Sequence, residues 1–251
     1  MGIFRKSGST PPRYFAWEAA GLRWLAEGPT PVVDVLDVGE GHLDLVELGA
    51  VAPTPEAAEE FGRRLAQTHD LGAPAYGAPP PGWSGPGYFG PADDVFELPL
   101  APYATWSEHY AHTMIEPLAE RTPLPNGVRS SLRELTALIG TGELDTGEPP
   151  ARIHGDLWSG NLMWTADGAT LIDPAAHGGH READLAMLAL FGAPHLERIV
   201  AAYDEQRPLA DGWQDRVAVH QVFALLAHVA LFGSGYLAML ERAILPFVGR
   251  V

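Results

Sequence analysis

The sequence predicts an α+β fold in two lobes, a small N-terminal sheet with one helix followed by a larger, mainly helical lobe. Three observations carry this. The first fifty of the 251 residues hold one helical pattern and about three short apolar strands. Beyond residue 100 most apolar residues recur at helical spacing. Between these lies a strand–loop–hairpin, from Ile153 to Asp173, with Asp156, Asn161 and Asp173 at its turns. The lobes divide as 1–49 and 50–251.

Taken in order, residues 2–6 read as a strand and 7–12 as a turn-rich connection. Residues 14–26 form a helix on Phe15, Ala19, Leu22 and Leu25, stopped by Gly28, Pro29 and Pro31. Two β-branched-rich runs, 32–38 and 43–48, flank Gly39-Glu40-Gly41, a hairpin signal. Thr54 and Pro55 suit the cap and first position of a helix to Asp70. Residues 72–102 are rich in Gly and Pro. Trp83, Tyr88, Phe89 and Phe96 argue for an ordered loop packed on its aromatics, since a free linker has little use for them. Helices follow at 106–120 and 128–140. A strand at 151–154 leads to a hairpin of 162–164 with 169–172, turning at Asp167-Gly168. Helices at 181–191, 195–206 and 213–243 complete the chain, the last with a break at Gly233-Ser234-Gly235.

The composition excludes several classes. Hydrophobic residues make up 46%, enough for a sizeable core, and there is no cysteine for a disulfide or thiolate chemistry. A formal net charge of −16 argues against nucleic acid or an anionic membrane surface as partner. The N-terminus has no signal-peptide core, and no apolar run approaches the ~20 residues of a membrane span. A soluble cytoplasmic protein is the expectation; oligomeric state is not set by these features.

Asp156, Asn161 and Asp173 have the spacing of a phosphoryl-transfer loop. One Asp orients and accepts the proton of a substrate hydroxyl, an Asn five positions on holds a metal, and an Asp after the next strand holds the metal that bridges phosphates. Mg²⁺ prefers such hard oxygen ligands. Gly155 and Gly160 permit the tight turns. His154 packs and hydrogen-bonds to fix the loop. His177, His180 and Glu182 could be taken for a metal cluster, but as loop residues they read as structural. Gly233-Ser234-Gly235 lacks the lysine of a phosphate loop and reads as close helix packing.

His154-Gly155-Asp156-Leu157-Trp158-Ser159-Gly160-Asn161 strongly resembles the signature loop of the fructosamine kinase (ketosamine 3-kinase) family, within the aminoglycoside-phosphotransferase-like branch of the protein-kinase-like fold. The likeness continues through Asp173-Pro174-Ala175, Gly179-His180-Arg181-Glu182, Asp184-Leu185-Ala186-Met187 and His228-Val229-Ala230-Leu231-Phe232-Gly233, covering nearly all of residues 150–240. The resemblance implies ATP-dependent phosphorylation of a sugar hydroxyl on a ketosamine or other glycated amine, with glycation repair as its expected use. Asp156 is then the base, and Asn161 and Asp173 are the Mg²⁺ ligands. Met163 lies under adenine, and Asp184 braces the catalytic loop. Trp158 is a candidate to stack on the sugar. Further upstream, Lys6 resembles the lysine that contacts ATP phosphates and Glu18 its helical partner. Glu47 falls at the hinge whose backbone meets adenine.

Two departures qualify the resemblance. Kinases of this fold place a glycine-rich hairpin before the lysine strand, and only five residues precede Lys6. A gene start placed too far downstream, a weakened enzyme and a pseudokinase are the three readings. This chain is expected to bind ATP poorly or turn over slowly. Thr113-Met114-Ile115-Glu116-Pro117 also stands where the family has an Arg-Leu pair, which leaves acceptor identity open. A kinase of an aminoglycoside or choline-like compound, and a non-catalytic nucleotide-binding protein, stand as alternatives.

Overall fold

A computed structural model describes residues 2–91 and 93–250; the outer ends of the two expected lobes, Met1 and Val251, lie outside them. Strand β1 (Ile3–Ser7) pairs antiparallel with β3 (His42–Val46), and β3 with β2 (Val35–Val38), in the order β1-β3-β2. Helix α1 (Tyr14–Leu25) lays its apolar face on this sheet, burying Phe15, Trp17 and Leu22 against Leu43 and Leu45. The expected strand at 32–38 is split. Its first residues are taken by the later hairpin, with Leu171 donating to Pro31 O and Val33 donating to Leu171 O. A backbone committed there cannot also extend β2.

Helix α2 (Pro55–Asp70) starts where Thr54 Oγ1 accepts the Ala57 N–H at 3.2 Å. It crosses α7 (Leu196–Gln206) at Gly62, where a Cβ would come within 2.2 Å of Ile199 O. The Gly/Pro-rich stretch is ordered and contains a short antiparallel pair, β4 (Gly87–Phe89) with β5 (Phe96–Leu98). Trp17 donates to Tyr88 O, and Phe89 and Phe96 pack on Phe223, so this segment ties the first lobe to the second.

The helix expected at 106–120 is three pieces: α3 (Trp106–His109), a π-helical turn (Tyr110–Ile115) and α4 (Glu116–Arg121). Pro117 has no N–H to give the Thr113 carbonyl, and its ring displaces that carbonyl, which widens the turn before it. Helix α5 (Asn126–Gly140) follows.

Strand β6 (Ala151–Ile153) pairs with β9 (His177–Gly179), which sequence reasoning missed because its three residues carry no apolar signal. Hairpin β7 (Leu162–Thr165) and β8 (Gly168–Leu171) turns at Ala166-Asp167, one residue earlier than expected. Thr165 Oγ1 accepts the Asp167 N–H and donates to Gly168 O, which fixes that register. Helix α6 (Glu182–Leu190) and α8 (Trp213–Phe232) pack together, and the chain breaks at Gly233 (φ 85°) before α9 (Leu237–Ile244).

One helix bears on the expectation of no membrane span. Helix α8 has the length and mean hydropathy, 1.3 over 18 residues, that a membrane span requires. It is a core helix: Val219, Val222, Phe223, Leu225 and Leu226 are buried against the π-helical turn, α6 and α9.

Candidate active site

The loop after β6 enters through Gly155, whose φ of 80° and close approach to Ala175 O admit no side chain. A buried carboxylate holds its backbone. Asp184, in the first turn of α6, accepts the N–H of His154 at 2.7 Å and of Gly155 at 3.0 Å. Burial would raise the Asp184 carboxyl, but hydrogen bonding and charge from His69, together with the neighbouring His154, hold it below its ordinary value. His69 Nε2 meets Asp184 Oδ2 at 3.1 Å, and its Nδ1 meets the Tyr203 hydroxyl at 2.8 Å. His69 and Tyr203 were missed from sequence. The signal was there: His69 is a polar residue on the apolar face of α2, one turn after Leu65.

His154 is fully buried and fixed in one tautomer. Its Nδ1 accepts the Asp156 N–H at 3.2 Å, so Nε2 donates to Ile172 O at 2.8 Å. Burial keeps the imidazole neutral by pushing its pKa down. The ring thus joins the loop to the strand end that carries Asp173.

Asn161 Nδ2 donates to Asp156 O at 2.8 Å and to Asp156 Oδ2 at 2.9 Å, and lies 3.4 Å from Asp173 O. The amide nitrogen is spent on orienting Asp156. Among the described residues nothing donates to its Oδ1. Asp173 has a positive φ of 54°, a strained backbone that presents its half-exposed carboxylate to the cleft. Its Oδ1 receives Lys6 Nζ at 3.0 Å. Lys6 Nζ also reaches both Glu18 carboxylate oxygens at 2.8 Å. Burial works against the Lys6 charge, yet Glu18 and Asp173 hold its pKa above the ordinary value. Burial pushes Glu18 up to about 7 against the pull of Lys6. Asp156 is pushed up to about 8, first by burial and then by the charges of Asp173 and Asp184, with the Asn161 hydrogen bond opposing.

Lys6, Glu18, Asp156, Trp158, Asn161 and Asp173 line one cavity of about 380 Å³. The structure therefore brings together residues up to 167 positions apart. Trp158 is 39% exposed at its rim, lying over Gly160, where a Cβ would collide with the indole. Aromatic and apolar side chains that sequence reasoning left out, Tyr14, Tyr88, His228 and Phe232 among them, wall the same space. Met163, on β7, and the exposed Glu47 stand outside its lining. The Glu47 backbone N–H donates to Gly2 O.

Two unspent hard oxygens, Asn161 Oδ1 and Asp173 Oδ2, beside an ammonium form a donor set suited to Mg²⁺ and phosphate. The other His/Glu cluster is not such a set. Glu182 takes a bidentate Arg216 at 2.6 and 2.9 Å with His220 at 3.3 Å, and both His180 nitrogens are engaged, with Thr146 Oγ1 and with the Glu182 N–H. His220 Nδ1 of this group is buried without a partner among the described residues, and His177, the other histidine of the cluster read from sequence, donates from Nδ1 to Ala175 O instead.

Comparison with known proteins gives the family and the fold. The fructosamine kinase family model matches residues 4–248. A candidate ketoamine kinase of Thermus thermophilus is 35% identical over 243 residues, 96% of this chain and 86% of its own length. A crystal structure of a candidate fructosamine-3-kinase from Thermobifida fusca superposes with a TM-score of 0.85 at 44% identity, over 97% of this chain and 85% of that one. A thermostable aminoglycoside phosphotransferase mutant shares the kinase-like fold alone, with a TM-score of 0.62 at 15% identity over 99% of this chain and 88% of that one.

Proposed function

The chain belongs to the fructosamine kinase family and is a phosphotransferase; on that premise we propose that it phosphorylates a sugar hydroxyl of a small ketosamine, with ATP as donor and Mg²⁺ as the metal. The observation that carries this reading is the convergence of Lys6, Asp156, Asn161 and Asp173 on one cavity. Bound Mg²⁺-ATP supplies the electrophilic phosphorus and neutralises the charge that gathers on its oxygens. Asn161 Oδ1 and Asp173 Oδ2 would hold the metal. Lys6, aligned by Glu18, faces the phosphates. Adenine would reach beyond this cavity, towards the Glu47 segment and Met163, which lie outside its lining.

Asp156 acts as the base. Its Oδ2 is held by Asn161, which leaves Oδ1 for the acceptor hydroxyl. The hydroxyl oxygen forms the new O–P bond as the bond to the leaving diphosphate breaks, and the proton passes to Asp156 Oδ1. Catalysis of this kind is chiefly positioning. The Asp184–His69 and His154 contacts serve it by fixing the loop backbone. Trp158 offers an aromatic face to the sugar. The two lobes, 1–49 and 50–251, close around the nucleotide. A net charge of −16 argues for small molecules over nucleic acid or a membrane surface as substrates; a cytoplasmic enzyme that repairs glycated amines is the use proposed.

A mass-spectrometric screen of fructosamines, ribulosamines, choline and aminoglycosides with Mg²⁺-ATP tests the proposal. Phosphorylation of a ketosamine is expected. Phosphorylation of choline or an aminoglycoside alone overturns the acceptor; no transfer, beside measurable nucleotide binding, overturns the catalytic reading.

A further inference from the structure

Tyr14 has no part in the chemistry so far, yet it is built into the same cavity. It opens α1, one helical turn before Glu18, so the two side chains share a face. Both line the space that holds Lys6, Asp156 and Asp173. The ring is locked. It packs edge-on against Phe15 at 5.4 Å and against Tyr88 at 6.0 Å between centroids, and little of it is exposed. The backbone that sets its direction is strained: Arg13 has a φ of 69°, held by its guanidinium on Ser84 O at 2.7 Å and over the Trp83 ring at 4.2 Å.

The hydroxyl that this effort aims is nearly uncommitted. Among the described residues its hydrogen-bond contact is Gly90 O at 3.5 Å, the limit of a hydrogen bond. Trp17 Nε1 is spent on Tyr88 O and Asn161 Nδ2 on Asp156, while Lys6 Nζ, held by Glu18 and Asp173, shares the cavity with the Tyr14 hydroxyl. Burial and the charge of Glu18 push the phenol up to about 12, so it stays an O–H donor that an anion can approach.

We propose that the Tyr14 hydroxyl donates a hydrogen bond to the terminal phosphate of the bound nucleoside triphosphate. The proposal rests on the kinase reading above. Tyr14 shares a helix face with Glu18, which holds Lys6, and Lys6 in turn reaches Asp173, so the hydroxyl belongs with the phosphate-facing group of the cavity. A charge-assisted hydrogen bond of this kind changes affinity by about tenfold or more.

Tyr14→Phe removes the hydroxyl and keeps the ring. Calorimetric dissociation constants for Mg²⁺-ATP and Mg²⁺-ADP, with kcat and acceptor KM alongside, test it. Affinity for the triphosphate is expected to fall about tenfold or more, with the diphosphate within about twofold of the parent. Equal weakening of both nucleotides, no change in either, or a shift confined to acceptor KM overturns the proposal. A parent protein that binds no Mg²⁺-ATP overturns the kinase reading and this role with it. A parent that binds normally, beside an unchanged triphosphate-to-diphosphate ratio in the variant, overturns this role alone.

Discussion

Asp156 shows what a single side chain contributes and what it borrows. Its type and its distance from Asn161 were legible in the sequence, because five residues is the reach of one tight loop. Its raised pKa was not, because burial comes from chain segments far away in sequence. Asp156→Asn removes the proposed proton acceptor with little change of shape. Turnover is expected to fall roughly 10²–10⁴-fold, the usual worth of a positioned base, while Mg²⁺-ATP affinity measured by calorimetry stays close to the parent. A variant that retains near-parent kcat rules Asp156 out as the base. His154 teaches the same lesson from the other side. The sequence reading gave it a packing role in the loop, and the structure supplies the reason: one imidazole accepts from the loop and donates to Ile172 O.

At the scale of elements, the site depends on how helices are pinned to the loop. His69 on α2 and Tyr203 on α7 support Asp184 on α6, which in turn holds the loop backbone. His69→Leu leaves a fully buried carboxylate short of one donor, at about 1–3 kcal/mol. Urea unfolding should show that loss, and kcat should fall more than acceptor affinity as the loop loosens. Gly62 sits where α2 crosses α7. In Gly62→Ala the new methyl meets the Ile199 carbonyl at 2.2 Å, so the helices must part. Overpacking of this kind costs about 1–3 kcal/mol; an unchanged urea midpoint would show that the crossing relaxes freely. Elements with strong local signals, α2 with its Thr54 cap and the break of α8 at Gly233, were read correctly. Those made by long-range pairing were not. Strand β9 exists because Ala151–Ile153 lies beside it, and nothing within His177–Gly179 says so. The π-helical turn had a local signal, Pro117, but a proline alone does not say whether a helix ends, kinks or widens.

For the whole molecule, acid should be the weak point. Burial pushes His109, His177 and His180 below their ordinary pKa, so each is neutral when folded. Below about pH 6.5 the unfolded chain binds protons that the folded chain does not, and stability is lost as pH falls, by up to about 1.4 kcal/mol per pH unit for each such group. Glu182 acts in the same direction further down. Burial opposes its ionisation, but His220 and Arg216 pull its pKa to about 2, so its contribution, present above about pH 4.5, is lost as pH falls towards that value. Urea midpoints at pH 7.5 and 5.5 should differ by a clear margin; equal midpoints would show that these histidines gain protons without penalty. The sequence by itself determined the lobed α+β plan and the residue types of the phosphoryl-transfer loop, together with the family likeness that names ketosamines. These are written in local spacing: helical periodicity, caps, and a loop short enough to hold Asp156 and Asn161 together. Only the tertiary structure decided that Lys6 reaches Asp173, that His69 and Tyr203 stand behind Asp184, and that Tyr14 lines the same cavity as Asp156. Those contacts join segments that the chain keeps far apart, and burial of the apolar faces between them sets their distances and the local dielectric.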